Sequence, residues 1–206
     1  MGAMNAPLAD QIAAAAARLV VEEGMEYGSA KRKALRALGR HRLRQAELPG
    51  NEQVEDQVRD YLALFCADTQ PAELRALRQL ALRWMTQLAE FRPHLGGAVW
   101  RGTATRLSAI MLDLYCDDSK SAEIALINQG IDYDVGSRPD GRGGNGELQM
   151  LSIGVRCAEL GDTVTLFLTI LDHDDLRGAL KPDSRGRSWR GDATALQRLL
   201  AQDDPT

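Results

Sequence analysis

The 206-residue chain lacks most of the features that assign a function at sight. Its three cysteines, Cys66, Cys116 and Cys157, are odd in number, far apart and set in apolar sequence with no C-x-x-C pair. That excludes a disulfide framework and a zinc ribbon, and it predicts buried, reduced thiols in a cytoplasmic protein. No apolar run approaches the length that spans a bilayer, so no membrane partner is expected. The alanine-rich stretch after Asp10 and Gln11 has no basic segment before it and leads into Glu22 and Glu23, which reads as a helix rather than a signal peptide. No Ser-His-Asp, Cys-His or H-E-x-x-H arrangement is present, and His41, His94 and His173 have no spacing that implies shared ligation.

What is present describes a globular protein. The chain is 44% apolar and 26% charged with a net charge of −4, which supports a core and excludes wholesale disorder. Apolar residues recur every three or four positions through the first half and predict helices over 7–23, closed by Gly24, over 29–38, opened by Ser29, and over 52–66 and 72–91. After Gly97 the period changes to two. Strands are predicted at 98–101, 108–116, 131–135, 147–157 and 163–171, with helices at 119–129 and 193–200, the last capped by Asp192. The expected class is α+β, a helical N-terminal region (1–95) packed on a mixed or antiparallel sheet domain (96–206), with a soft boundary near 92–97.

The segment VWRGTATRLSAIMLDLYCDDSKSAEIALINQGIDYDV places a short strand, a Gly-Thr turn, a strand bearing an acid, a helix, a glycine and another strand in that order. In this order it resembles the core of the DNA polymerase β-like nucleotidyltransferase superfamily over about residues 75–175. The resemblance implies a nucleotidyltransferase-like topology, with Gly102 and Thr103 as the phosphate-facing turn, flanked by Arg101 and Arg106. It makes Asp113 the acid of the catalytic strand, and Asp113 with Asp172 the residues that would hold Mg²⁺ if the chain is an enzyme. Two-metal phosphoryl transfer needs carboxylates at i and i+2 of a strand, because those positions share a face.

No register supplies that pair. Aligned on Ser108, the carboxylate positions fall on Ala109 and Met111; shifted by two, on Met111 and Asp113; shifted again, on Asp113 and Tyr115. The strand alternates Ile110, Leu112 and Leu114 on one face with Met111, Asp113 and Tyr115 on the other. An isolated aspartate there is expected to find a nearby arginine such as Arg101 or Arg106. The chain therefore reads as a non-catalytic or strongly diverged member that binds nucleotide or nucleic-acid phosphate, the alternatives being an active metal-dependent enzyme using Asp113 and a protein interaction module.

The remaining candidates are basic or glycine-rich. Lys31, Arg32, Lys33, Arg36, Arg40, His41, Arg42 and Arg44 follow one another without an acid, the pattern that binding an RNA or DNA phosphate backbone requires. Residues 136–147 carry five glycines between two strands and predict a hairpin tip. Asp172, His173, Asp174 and Asp175 contain metal-ligating atoms but sit consecutively, as a turn and helix cap do. The group Arg185, Arg187, Trp189 and Arg190 reads as a loop anchored by its tryptophan. Helices 52–66 and 72–91 are apolar enough to suggest a homodimer.

Overall fold

A computed structural model of the chain describes residues 7–39, 48–118, 120–139, 146–183 and 185–202. It divides into two compact units, Met1–Pro71 and Ala72–Thr206. The class is α+β. Among the described residues no helix is long and apolar enough to cross a membrane.

The first unit contains α1 (Leu8–Glu23), α2 (Tyr27–Ala37) and α3 (Asn51–Phe65). The small residues Ala13, Ala16 and Ala17 on one face of α1 let the helices approach closely, and Ile12, Val20, Leu35, Val54 and Val58 fill the space between them. Gly24 ends α1 in the left-handed conformation with φ 65°, as its position predicts. Ser29 does not open α2. The helix begins two residues earlier at Tyr27 with no side-chain cap, and the Ser29 hydroxyl accepts a hydrogen bond from Arg32 instead. Glu55 is fully buried on α3 and pairs with Arg59 one turn later at 2.8 Å, as a buried carboxylate requires.

The second unit is a five-stranded mixed sheet, β1 (His94–Gly96), β2 (Ile110–Cys116), β3 (Asp134–Pro139), β4 (Glu147–Cys157) and β5 (Asp162–Asp172), in the order β1-β2-β5-β4-β3. β2 and β5 run parallel and the other neighbours antiparallel. One sheet face carries Ile110, Leu112, Leu114, Leu151, Ile153, Leu166 and Leu168 into a single core with Leu77, Leu80 and Met85 of α4 (Gln70–Gln87), Leu126 of α6 (Ser121–Asn128) and Leu196 of α8 (Ala193–Gln202); the one-turn α7 (Leu176–Ala179) follows β5. Asp192 caps α8 as expected, accepting from the N–H of Ala195 at 2.8 Å.

The strand expected at 98–101 is instead a short helix, α5 (Gly97–Arg101). Gly97 at φ 64° and Gly102 at φ 80° bracket it, and its terminal carbonyls are satisfied from outside. Buried Arg78 of α4 donates to the Val99 carbonyl at 3.1 Å and the Trp100 carbonyl at 3.3 Å. Four residues cannot distinguish a two-residue period from one helical turn, and the guanidinium that favours the helix lies in another element.

Candidate functional site

Residues paired directly across strands point to one side of a sheet. One such row crosses all five strands: His94, Asp113, Thr169, Met150 and Gly136. It lies on the face opposite the helices' core, and Met111, Tyr115 and Arg138 share that side by alternation. The expected division of β2 therefore holds: Ile110, Leu112 and Leu114 enter the core, and Asp113 faces away from it.

Asp113 is 8% exposed and held between two arginines. Arg138 of β3 reaches its Oδ1 at 3.4 Å, and Arg190 reaches its Oδ2 at 2.5 Å. Arg190 also donates to the Tyr115 hydroxyl at 3.2 Å. The ring of His94 meets Tyr115 edge-on with centroids 5.2 Å apart, and a 2.9 Å hydrogen bond joins its Nδ1 to the Arg92 carbonyl. Asp113 thus has arginine partners, but they are neither Arg101 nor Arg106. Both expected arginines lie closer in sequence and are engaged elsewhere.

Arg190 arrives on a sixth, very short edge. Gly191 exchanges backbone hydrogen bonds with Leu95 at 2.8 and 3.0 Å, extending the sheet beyond β1. Since Leu95 points into the core, the neighbouring Arg190 points to the Asp113 side. The segment is fixed by the residues the resemblance assigns to phosphate. Arg101 pairs with Asp183 at 3.1 Å, both side chains almost completely buried, and its guanidinium carbon sits 4.3 Å from the centre of the Trp189 ring. Trp100 donates from Nε1 to the Ser188 carbonyl at 2.9 Å. Burial pushes the Asp183 carboxyl upward, but the N–H of Arg187, the Arg101 guanidinium and the N–H of Arg185 outweigh it and hold the group below the ordinary carboxylate range.

The Gly102-Thr103 turn is the C-terminal cap of α5: the N–H of Thr103 bonds back to the Ala98 carbonyl at 2.9 Å, and Thr103 is 2% exposed. Arg106 is exposed and pairs with Asp162 at 3.4 Å. The N–H of Thr163 and the Arg106 guanidinium together lower the Asp162 carboxyl. Gly102, Thr103, Arg101 and Arg106 are therefore close in sequence but spent on separate structural tasks.

Asp113 and Asp172 do not come together. The neighbour of Asp113 on β5 is Thr169, three residues before Asp172, so Asp172 leaves the sheet on the opposite face, paired in register with Cys116. There it caps the 3₁₀ turn His173–Asp175 by accepting from the N–H of Asp174 at 2.9 Å. Among the described residues no three His, Cys, Asp or Glu side chains are grouped to hold a metal ion.

On α2, Lys31 donates to the Pro49 carbonyl at 3.1 Å and to Asn51 at 2.9 Å, and burial followed by the charge of Arg32 lowers its pKa. Lys33 pairs with Glu23. Arg32 and Arg36 lie one turn apart on the exposed side. Arg40, His41, Arg42 and Arg44, and the glycine-rich tip at 140–145, lie outside the described residues.

Spacing in the sequence does not single out Arg138 and Arg190 as partners of Asp113. A signal was available for the second: the tripeptide Trp-Arg-Gly occurs at both 100–102 and 189–191, and the fold interlocks the two copies. Compared with models of protein families, with curated proteins and with solved structures, the chain matches none.

Proposed function

We propose that the chain is a nucleotidyltransferase-like protein that binds the phosphate of a nucleotide or nucleic acid without transferring it. The binding face is the side of the sheet opposite the helices' core, around Asp113. The observation that carries this reading is the convergence of Arg138 and Arg190 on a single carboxylate. Two guanidiniums against one carboxylate leave one positive charge, and a guanidinium presents paired N–H groups whose spacing matches two phosphate oxygens. Met111, Met150 and Phe167 lie half-buried on the same face beside this polar centre and offer apolar surface to the rest of a ligand.

β2 brings no second acid beside Asp113, and Asp134 on the same face stands three strands away on β3, which argues against nucleotidyl transfer. Labelled nucleoside triphosphates incubated with the protein and Mg²⁺ or Mn²⁺ should give no transfer to protein or RNA. Transfer abolished by Asp113→Asn would restore the enzyme. Titration of the protein with ATP at low salt should give measurable binding that Arg138→Gln and Arg190→Gln weaken; no binding at low salt would end the proposal.

A nucleic-acid backbone has a second candidate contact on α2, supported by the exposed Arg32 and Arg36 with Lys31 and Lys33 beside them. Charge reversal at Lys31, Arg32 and Lys33 should then weaken RNA or DNA binding regardless of sequence and flatten its salt dependence. A homodimer and a cytoplasmic location complete the proposed setting, and a monomeric mass in solution would remove the first.

A further inference from the structure

A phosphate approaching Asp113 meets a carboxylate, and some cation must stand between them. In phosphoryl-transfer sites that cation is a divalent metal held by carboxylates with oxygens to spare. The donor set here does not fit one. Both oxygens of Asp113 are already in ion pairs, Oδ1 with Arg138 and Oδ2 with Arg190. Its neighbours in the row are an imidazole, a hydroxyl and a thioether, those of His94, Thr169 and Met150, and Asp172 leaves from the other side of the sheet. Hard divalent ions such as Mg²⁺ want several oxygen ligands, and one carboxylate with both oxygens engaged supplies none freely.

We propose that Arg138 and Arg190 take the place of a divalent cation at Asp113, so that the site receives its phosphate ligand as a metal-free anion. This rests on the reading of the Asp113 face as a phosphate site. The charge is equivalent: one Mg²⁺ on one carboxylate leaves a net +1, and so do two guanidiniums on one carboxylate.

The layering is right as well. The Asp113 side chain is 11% exposed, whereas those of Arg138 and Arg190 are 36% and 28% exposed, so the carboxylate forms the floor and the cations face solvent. Neither guanidinium has another carboxylate partner among the described residues, and the Nε of Arg138 is buried without a hydrogen-bond acceptor. Arg190 is fixed by backbone pairing of Gly191 with Leu95, which keeps one cation in place before any ligand arrives. A metal ion brought in on the ligand would be repelled by both arginines and would mask the charge they recognise.

The test is calorimetric titration of the full chain with pyrophosphate and with ATP, once in EDTA and once in excess Mg²⁺. Binding in EDTA should be at least as tight as in Mg²⁺. Arg138→Gln and Arg190→Gln, each checked for folding by circular dichroism, should weaken it by about tenfold to a hundredfold, the range of a charge-assisted hydrogen bond. Tighter binding in Mg²⁺, or binding that requires it, would overturn the metal-free site while leaving phosphate binding intact. Failure of both probes in both buffers would overturn the phosphate reading itself. Unchanged affinity in the two folded variants would move the site elsewhere.

Discussion

The ring of Trp100 fills the space that any side chain at position 191 would need. A Cβ built on Gly191 would lie 2.1, 2.4 and 2.7 Å from three of its ring atoms. With Arg101 beneath Trp189, the two Trp-Arg-Gly tripeptides lock together, and the second delivers Arg190 to Asp113. Gly191 is therefore required for close approach.

Gly191→Ala should force Trp100 from its position and destabilise the protein by about 1–3 kcal/mol, the usual cost of overpacking. The urea midpoint reads this directly. Combining it with Trp100→Leu should recover part of the loss, and a single variant as stable as the parent would contradict the packing.

Arg78→Met should destabilise through α5. It leaves the Val99 and Trp100 carbonyls without their guanidinium donor, at about 1–3 kcal/mol for each buried acceptor left unpaired. Arg78→Lys supplies one charge but no fork and should restore only part. Equal denaturation curves for Arg78→Met and the parent would show that α5 does not depend on this bond.

Acid should loosen the 183–191 segment. The folded-state pKa of Asp183 lies below its ordinary 3.8. Its contribution to stability is therefore complete above about pH 5 and is lost as the pH falls through the ordinary value to the lower folded one. Between about pH 5 and 3 the parent should lose stability more steeply than Asp183→Asn, which lacks that titration. Glu159 and Asp162, also lowered, titrate in both proteins and cancel in the comparison. Identical slopes would remove Asp183 from the account.

Cys116 should be inert in the native protein. Burial, with help from the negative charges of Asp117, Asp118 and Glu90, pushes its thiol up to about 11, so almost no thiolate exists at neutral pH. Alkylation followed by mass spectrometry should modify half-buried Cys66 first and reach Cys116 only on unfolding. Rapid native labelling of Cys116 would show that the end of β2 opens readily.

Much of this molecule is readable from local pattern. The three- to four-residue period placed α1, α3 and α4 to within a few residues, and the two-residue period placed β4 and β5, because each element buries one continuous face and repeats its signal over ten or more positions. β2 showed which of its faces enters the core and that only one acid stands on the other, since alternation along a strand follows from backbone geometry alone. α5 reads as a strand in sequence because its signal spans a single turn and its stabilising guanidinium belongs to α4.

The surroundings of Asp113 belong to tertiary structure. Arg101 and Arg106 are its near neighbours in sequence, yet chain direction takes them to Asp183 and Asp162. Arg138 and Arg190 are distant in sequence, and they reach Asp113 from opposite edges of the sheet, Arg138 across the face from β3 and Arg190 beside the backbone pairing of Gly191 with Leu95. Sequence determined that β2 would bring a single carboxylate to this face. Only the fold decided that two arginines would neutralise it, because an ion pair depends on separation in space, and strand pairing sets that separation without regard to distance along the chain.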